Sequence, residues 1–288
     1  MYFAVDPLDD ADITSKLIAL IEAEPNAYWT AVVDSAFDHG GTALACPGSR
    51  EVLYSNEELD AMSEVSPLLI PLVREDKDTL VAQLNAIVQH CAGRPMLSVA
   101  ASRKNATELK PNWQRCVRVL TDDRQKLVLR FTDTRVLQDL PKILRPESLA
   151  ALTHDLIAWW YVDRTGALAS LPVIPVDASP RYPLEIGKHE FKRLVDRGEP
   201  DAVIEAMFEQ TQHALPTTRK AEFFERIQAV CEFAREREFD SFPDVVALAS
   251  FDALSGQRGL ENPKLIQLVT DRGWKRGEMG KALVELFD

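Results

Sequence analysis

Residues 171–187, LPVIPVDASPRYPLEIG, hold four prolines in seventeen positions. Proline lacks a backbone N–H and fixes φ, so this stretch resists both helix and central strand and favours extended backbone. The apolar pattern changes across it. Before residue 171, short β-branched and aromatic runs alternate with helical stripes. After residue 187, every apolar stripe recurs at helical spacing. The chain therefore reads as an α+β protein: a mixed α/β lobe with a small sheet over residues 1–170, a stiff proline-rich linker over 171–187, and an all-helical lobe over 188–288.

Within the mixed lobe, Asp12 precedes ITSKLIALIEAE, where Ile13, Leu17, Leu20 and Ile21 predict a capped amphipathic helix. YWTAVVDS (28–35) and PMLSVAAS (95–102) read as buried strands, and SPLLIPLV (66–73) as a strand placed at an edge by Pro67 and Pro71. Asp78 opens a helix with the stripe Leu80, Leu84, Ile87, Val88 and Cys91. The 109–120 segment includes a helix interrupted early by Pro111; KLVLRF (126–131) is a further strand, and 136–144 is helical in character. WWYVD (159–163), the Arg164-Thr165-Gly166 turn and ALASLPV predict a hairpin. In the helical lobe, Pro200 is expected at a first helical position before Val203, Ile204, Met207 and Phe208. Thr217 or Thr218 is expected to cap a helix striped by Phe223, Ile227, Val230, Cys231 and Ala234, and Asn262-Pro263 opens another through Leu265 and Val269. A last helix follows Gly277 through Met279, Leu283, Val284 and Phe287. Such stripes need a common core.

Charge is distributed unevenly. Of 45 acidic and 33 basic residues, thirteen acidic and only two basic ones, Lys16 and Arg50, fall in residues 1–64. A polyanion partner is not expected there, because phosphate contacts need Lys and Arg. Residues 74–145 carry fourteen basic and eight acidic side chains, interspersed and without an aromatic stacking ladder. No apolar run approaches the roughly 20 residues that span a bilayer, and the opening MYFAVDPLDDAD lacks the basic start and apolar stretch of a secretory signal, so a cytoplasmic protein is expected. Cys46, Cys91, Cys116 and Cys231 lie far apart with no CxxC pair, which predicts reduced thiols rather than disulfides or a zinc site. Phosphate-loop, dinucleotide and nucleophile-elbow signatures and HExxH do not occur, so no catalytic residue, metal ligand or cofactor is assigned. His154-Asp155 and His90-Cys91 read as structural pairs, with Cys91 on an apolar stripe. The most distinctive polar cluster is Arg130, Asp133 and Arg135 at a strand-to-helix junction. There Asp133 is placed to cap the helix and to sit between two guanidiniums, either as a structural pin or as part of an anion or partner site.

The segment carrying those three residues, RFTDTRVLQDLPKIL (130–144), resembles the Arg-Phe-Tyr-Asp-Pro-Arg-Val-Leu segment of the bacterial type VI secretion effector chaperones, or adaptors, long catalogued as a domain of unknown function. YWTAVVDSAFD, which contains Asp34, is similar to that family's Tyr-x-Leu-Leu-Asp-x-Ala opening strand. VLYS (52–55) and SPLLIPLV follow in the family's order, and the resemblance covers residues 28–152. Thr132 and Thr134 stand where the family has an aromatic residue and a proline, Leu69 stands where a Trp is common, and the family's Trp-Gly before the third strand is missing. The resemblance implies a non-enzymatic loader in the cytoplasm. Its partners would be a toxic effector protein, held at its N-terminal or spike-tip region, and a trimeric spike protein, with no membrane and no nucleic acid. Asp34, Arg130, Asp133 and Arg135 would be its structural motif.

An apolar effector segment would need aromatic anchors in a concave surface between the lobes. Trp159, Trp160, Tyr161 and Ile174, with Val173 and Val176 of the proline-rich stretch, are the candidates. Strand alternation turns Trp159 and Tyr161 one way and Trp160 the other, making Trp160 the better probe. Two alternatives belong to other classes. One is a metal-dependent hydrolase or nuclease using Asp34, Asp38, Asp122, Asp123 or Asp133; the other is a nucleic-acid-binding adaptor using Arg103, Lys104, Arg115 and Arg118.

Overall fold

A computed structural model describes residues 2–38, 41–56, 59–175, 180–239, 241–256 and 258–286. Val176 and Phe287 lie outside them. The α+β architecture is as read from the sequence: strands and helices mix in the first part of the chain, and the last third is helical. The chain divides into two compact units, residues 7–194 and residues 2–6 with 195–286.

The first unit contains α1 (Asp10–Ala23), β1 (Tyr28–Val33), β2 (Glu51–Val52), β3 (Leu68–Pro71), α2 (Lys77–Cys91), β4 (Leu97–Ser102), α3 (Ala106–Val117), β5 (Arg118–Thr121), β6 (Lys126–Val128), α4 (Thr134–Leu137), α5 (Leu140–Ile143), α6 (Pro146–Leu152), β7 (Leu156–Val162), β8 (Leu168–Leu171) and β9 (Leu184–Ile186). Six strands form an antiparallel sheet in the order β2-β3-β1-β4-β7-β8. The other three form a small sheet, β6-β5-β9, in which β9 runs parallel to β5.

Both faces of the six-stranded sheet are covered, which is why β1 and β4 read as continuous apolar runs instead of alternating ones. On one face Trp29, Ala31, Val33, Val99 and Ala101 pack with the α1 and α2 stripes Ile13, Leu17, Leu84 and Ile87. On the other, Val32, Ala100 and Trp159 pack with Leu109, Trp113 and Cys116 of α3 and with Phe131. The caps of these three helices are ordinary in chemistry, but two lie upstream of the expected residues: Asp9 rather than Asp12 caps α1, Asp76 rather than Asp78 caps α2, and Asn105 with Glu108 forms a reciprocal capping box on α3.

Several local expectations are corrected. β3 is not an edge strand, since β2 pairs with Leu68 and Leu69 on its outer side; that contact is only two residues long, so Pro67 and Pro71 flank it. The 136–144 segment is two short helices, α4 and α5. Within the proline-rich stretch, Leu184, Glu185 and Ile186 pair with Val119, Leu120 and Thr121, because Leu184 and Ile186 fill the first core. The division between the two compact units falls between residues 194 and 195.

The chain then continues through α7 (Lys188–Gln210), α8 (Lys220–Glu236), α9 (Phe242–Leu254), α10 (Pro263–Thr270) and α11 (Met279–Val284). Their stripes share a third core of Val203, Met207, Phe223, Ile227, Leu248, Leu265 and Met279, among others. Pro200 lies inside the 23-residue α7 and not at a helix start. Its missing N–H is tolerated because Val203, Ile204 and Met207 immediately beyond it are buried in that core. α9, which the periodicity reading passed over, opens with Pro243 in its first turn and is the most apolar of these helices. The α8 cap is also corrected. Neither Thr217 nor Thr218 serves; the Asp6 carboxylate accepts from the amides of Lys220 (2.7 Å) and Ala221 (3.3 Å). Ala4 is buried in the third core, and Tyr2 donates to the Pro216 carbonyl at 3.0 Å, which brings Asp6 to the helix end.

Candidate functional site

β1 stops at Val33 and the chain turns through a short 3-10 helix, Ser35–Asp38. Asp34 sits at that junction. Its amide donates to the Met96 carbonyl at 3.0 Å, and its Oδ1 accepts from the Ala36 amide at 3.1 Å, so the residue ends the strand and caps the turn at once. Its Oδ2 accepts from Arg130 Nη2 at 3.0 Å and from Thr132 Oγ1 at 2.9 Å. Asp34 is buried, and burial holds its carboxyl above the ordinary range despite the Arg130 charge and the Thr132 hydroxyl.

Three residues on from Arg130, Asp133 caps α4 by accepting from the Arg135 amide at 3.0 Å. The same carboxylate binds the Arg135 guanidinium in a fork, Nε at 3.0 Å and Nη2 at 2.7 Å. The expected single carboxylate between two guanidiniums is thus replaced by two separate pairs, Asp34–Arg130 and Asp133–Arg135. What the two guanidiniums share is an aromatic ring: their central carbons lie 5.4 and 5.2 Å from the centroid of Phe37.

A third cation group joins from the end of α2. Asp38 accepts from Arg94 Nη1 at 2.5 Å and contacts His90 Nε2 at 3.0 Å, while Arg94 also donates to the His90 carbonyl. The cluster therefore pairs three carboxylates with three guanidiniums and an imidazole around one phenyl ring. Its carboxylates are nearly inaccessible, yet 41% of the Arg130 side chain faces solvent. Arg130 thus offers outward N–H donors and a planar cation braced on Phe37. Phe37, Asp38, His90 and Arg94 were not part of the motif read from the sequence. They lie more than 35 residues from Arg130, and no local spacing links them to it.

The expected apolar anchors are placed otherwise than a partner surface requires. Trp159 is fully buried, with its ring 5.4 Å from that of Trp113 and edge-on to Phe131. Trp160 points to the opposite face, as alternation predicts, but there it stacks on Trp29 at 5.5 Å and packs on the second core. Tyr161 and Ile174 are half-buried against the first core, and burial raises the Tyr161 hydroxyl. The four residues therefore form no common patch; helices occupy both sides of the strand that carries three of them.

Of the acids of the hydrolase alternative, Asp34, Asp38 and Asp133 meet in the Phe37 cluster, and Asp122 and Asp123 are held elsewhere. Asp34, Asp38 and Asp133 are each bound to a cation, whereas Asp122 accepts from the Lys188 amide at the start of α7 and Asp123 braces the β5–β6 turn through Thr121 and Gln125. Among the described residues no group of three or more His, Cys, Asp or Glu is arranged to hold a metal ion. His154 and Lys104 both contact Asp155, at 3.0 and 2.7 Å, and Arg115 lies over the Tyr182 ring at 5.4 Å, so Lys104 and Arg115 of the proposed nucleic-acid contacts are engaged within the fold. No helix of the described residues is long and apolar enough to cross a membrane.

Residues 29–151 match the family described as a domain of unknown function (DUF4123). No curated protein and no solved structure matches the chain. The matched span runs from the second residue of β1 into α6, and so contains every residue of the Asp34–Phe37–Arg130–Arg135 cluster.

Proposed function

We propose that this chain is a non-catalytic chaperone or adaptor of the cytoplasm that holds a toxic effector of a type VI secretion system and brings it to the trimeric spike protein. The matched span and the stretch resembling the effector chaperones, 28–152, cover the same part of the chain. The observation that carries the reading is the half-open Arg130 guanidinium, held on Phe37 beside Arg135. Arginine and aromatic side chains are enriched where proteins bind proteins, and a group already fixed loses little freedom on binding. The carboxylates beneath it are saturated by internal hydrogen bonds, which suits a platform that orients donors outward.

Co-expression with any toxin gene found beside its own gene, followed by co-purification, tests the proposal. The wild-type chain is expected to retain the effector. Arg130→Lys keeps a positive charge on Asp34 but loses the planar contact with Phe37, and is expected to weaken retention without loss of fold. A wild-type chain that ignores neighbouring toxins, or one that turns over a small substrate, would overturn the reading.

A further inference from the structure

A groove of about 740 Å³ lies in the first unit along the outer edge of β9, well away from Phe37 in sequence. Three arginines line it: Arg124 from the β5–β6 turn, Arg145 before α6, and Arg181 from the proline-rich stretch. They differ in how they are held. Arg145 is fixed, with Nε 3.2 Å from Glu190 and Nη2 2.7 Å from the Glu185 backbone carbonyl. Arg124 is largely exposed and only 4.0 Å from Glu185. Arg181 is exposed and makes no hydrogen bond or ion pair with any described residue. Between the cations the wall is firm and partly apolar: Tyr182 is anchored by a hydrogen bond to Asn112 and by Arg115 over its ring, and Pro183 stands next to it.

We infer that this groove binds an acidic polypeptide segment with spaced carboxylates, each meeting one arginine. The inference rests on the chaperone reading above and names the chemistry of the cargo segment. Three features bear on the ligand, and the first selects a peptide over a nucleic acid. Glu147 and Glu185 stand among the arginines, so a continuous phosphate backbone would meet negative charge where a spaced peptide would not. The Glu185 backbone carbonyl is occupied by Arg145, and Pro180 and Pro183 have no N–H, so recognition falls to side chains rather than to an added strand. The Arg145 guanidinium is held before any ligand arrives, which lowers the ordering cost of a charge-assisted contact. Residues 180–185, which form part of this wall, lie beyond the span matched to the family.

The test uses the full chain and a fluorescein-labelled peptide in which glutamate alternates with alanine, its glutamine counterpart, and inorganic phosphate. The glutamate peptide is expected to bind, more weakly as salt rises, and the glutamine peptide is not. Arg181→Glu and Arg124→Glu, both at exposed positions, are each expected to weaken binding about tenfold with an unchanged melting temperature. Equal binding of the glutamine peptide, displacement by phosphate as effective as by peptide, or unaltered affinity in both variants overturns the inference. Effector co-purification separates it from the broader reading. A captured effector that the two variants release no faster condemns the groove alone; peptide binding through the groove by a chain that captures no effector condemns the chaperone reading alone.

Discussion

Asp34 and Glu51 are both carboxylates bound to cations, and their surroundings move their proton affinities in opposite directions. At Asp34 burial outweighs Arg130 and Thr132, and the carboxyl is raised. At Glu51, on the short β2, the Lys110 ammonium at 2.9 Å and the Thr107 hydroxyl at 2.7 Å dominate, and the carboxyl is lowered. A lowered carboxyl stabilises the fold fully above its unfolded value, near pH 4.3, and the benefit disappears as pH falls through the lower folded value. With 27% of its side chain exposed, the pair is partly screened. We expect Glu51→Gln to cost at most about 1 kcal/mol at neutral pH, with the difference from wild type shrinking below about pH 4.3 and vanishing once the pH has fallen through the lowered folded value. Melting temperatures of the two proteins across that range check this; a gap that persists in acid would show that the charge is not its source. The adjacent tryptophans make the same point about surroundings. Trp159 and Trp160 differ by one position, and each is claimed by a different core.

At the scale of elements, local pattern and long-range contact divide the work. The α2 stripe and its Asp76 cap, the α3 capping box and the β7–β8 hairpin all follow from residues within a few positions of one another. The α8 start does not. Arg219, just before the helix, has φ 54°, and the Asp6 carboxylate arrives from 214 residues away in sequence. Asp6→Ala is therefore expected to destabilise the helical unit by about 1 kcal/mol, whereas Thr217→Ala and Thr218→Ala change it by less than about 0.5 kcal/mol. Denaturant unfolding followed by helical circular dichroism measures all three. A larger loss from either threonine would return the cap to the local sequence. The proline-rich stretch follows the same logic: its composition argues for an extended linker, but the apolar Leu184 and Ile186 find a place beside β5.

Across the whole molecule, the three cores hold one buried thiol each. Cys116 lies in the first core, Cys91 in the second and Cys231 in the third. Burial pushes Cys116 and Cys231 up to about 12 and Cys91 upward as well, while Cys46 is half-buried. Thiolate, the reactive form, is therefore scarce at all three buried sites in the native state. Labelling with an aromatic disulfide should modify Cys46 first and spare the others. As denaturant is added, Cys91 and Cys116, which share a unit, are expected to lose protection together and Cys231 on its own curve. Peptide mapping by mass spectrometry reads out each site. Fast native labelling of Cys91, Cys116 or Cys231 would contradict the packing, and three coincident curves would make the two units one cooperative body.

What the sequence determined by itself was whatever repeats over a few residues: helical stripes, strand runs, the hairpin, and the change to pure helix after the prolines. These depend on side chains that share a face within a turn or two. Tertiary structure alone decided which face each run would bury, since nothing in WWYV indicates that helices cover both sides of the sheet. It also brought Asp34 to Arg130 across 96 positions and set both arginines on Phe37. Pairings of that kind arise from how the elements stack, and a spacing set by stacking leaves no periodic trace in the chain.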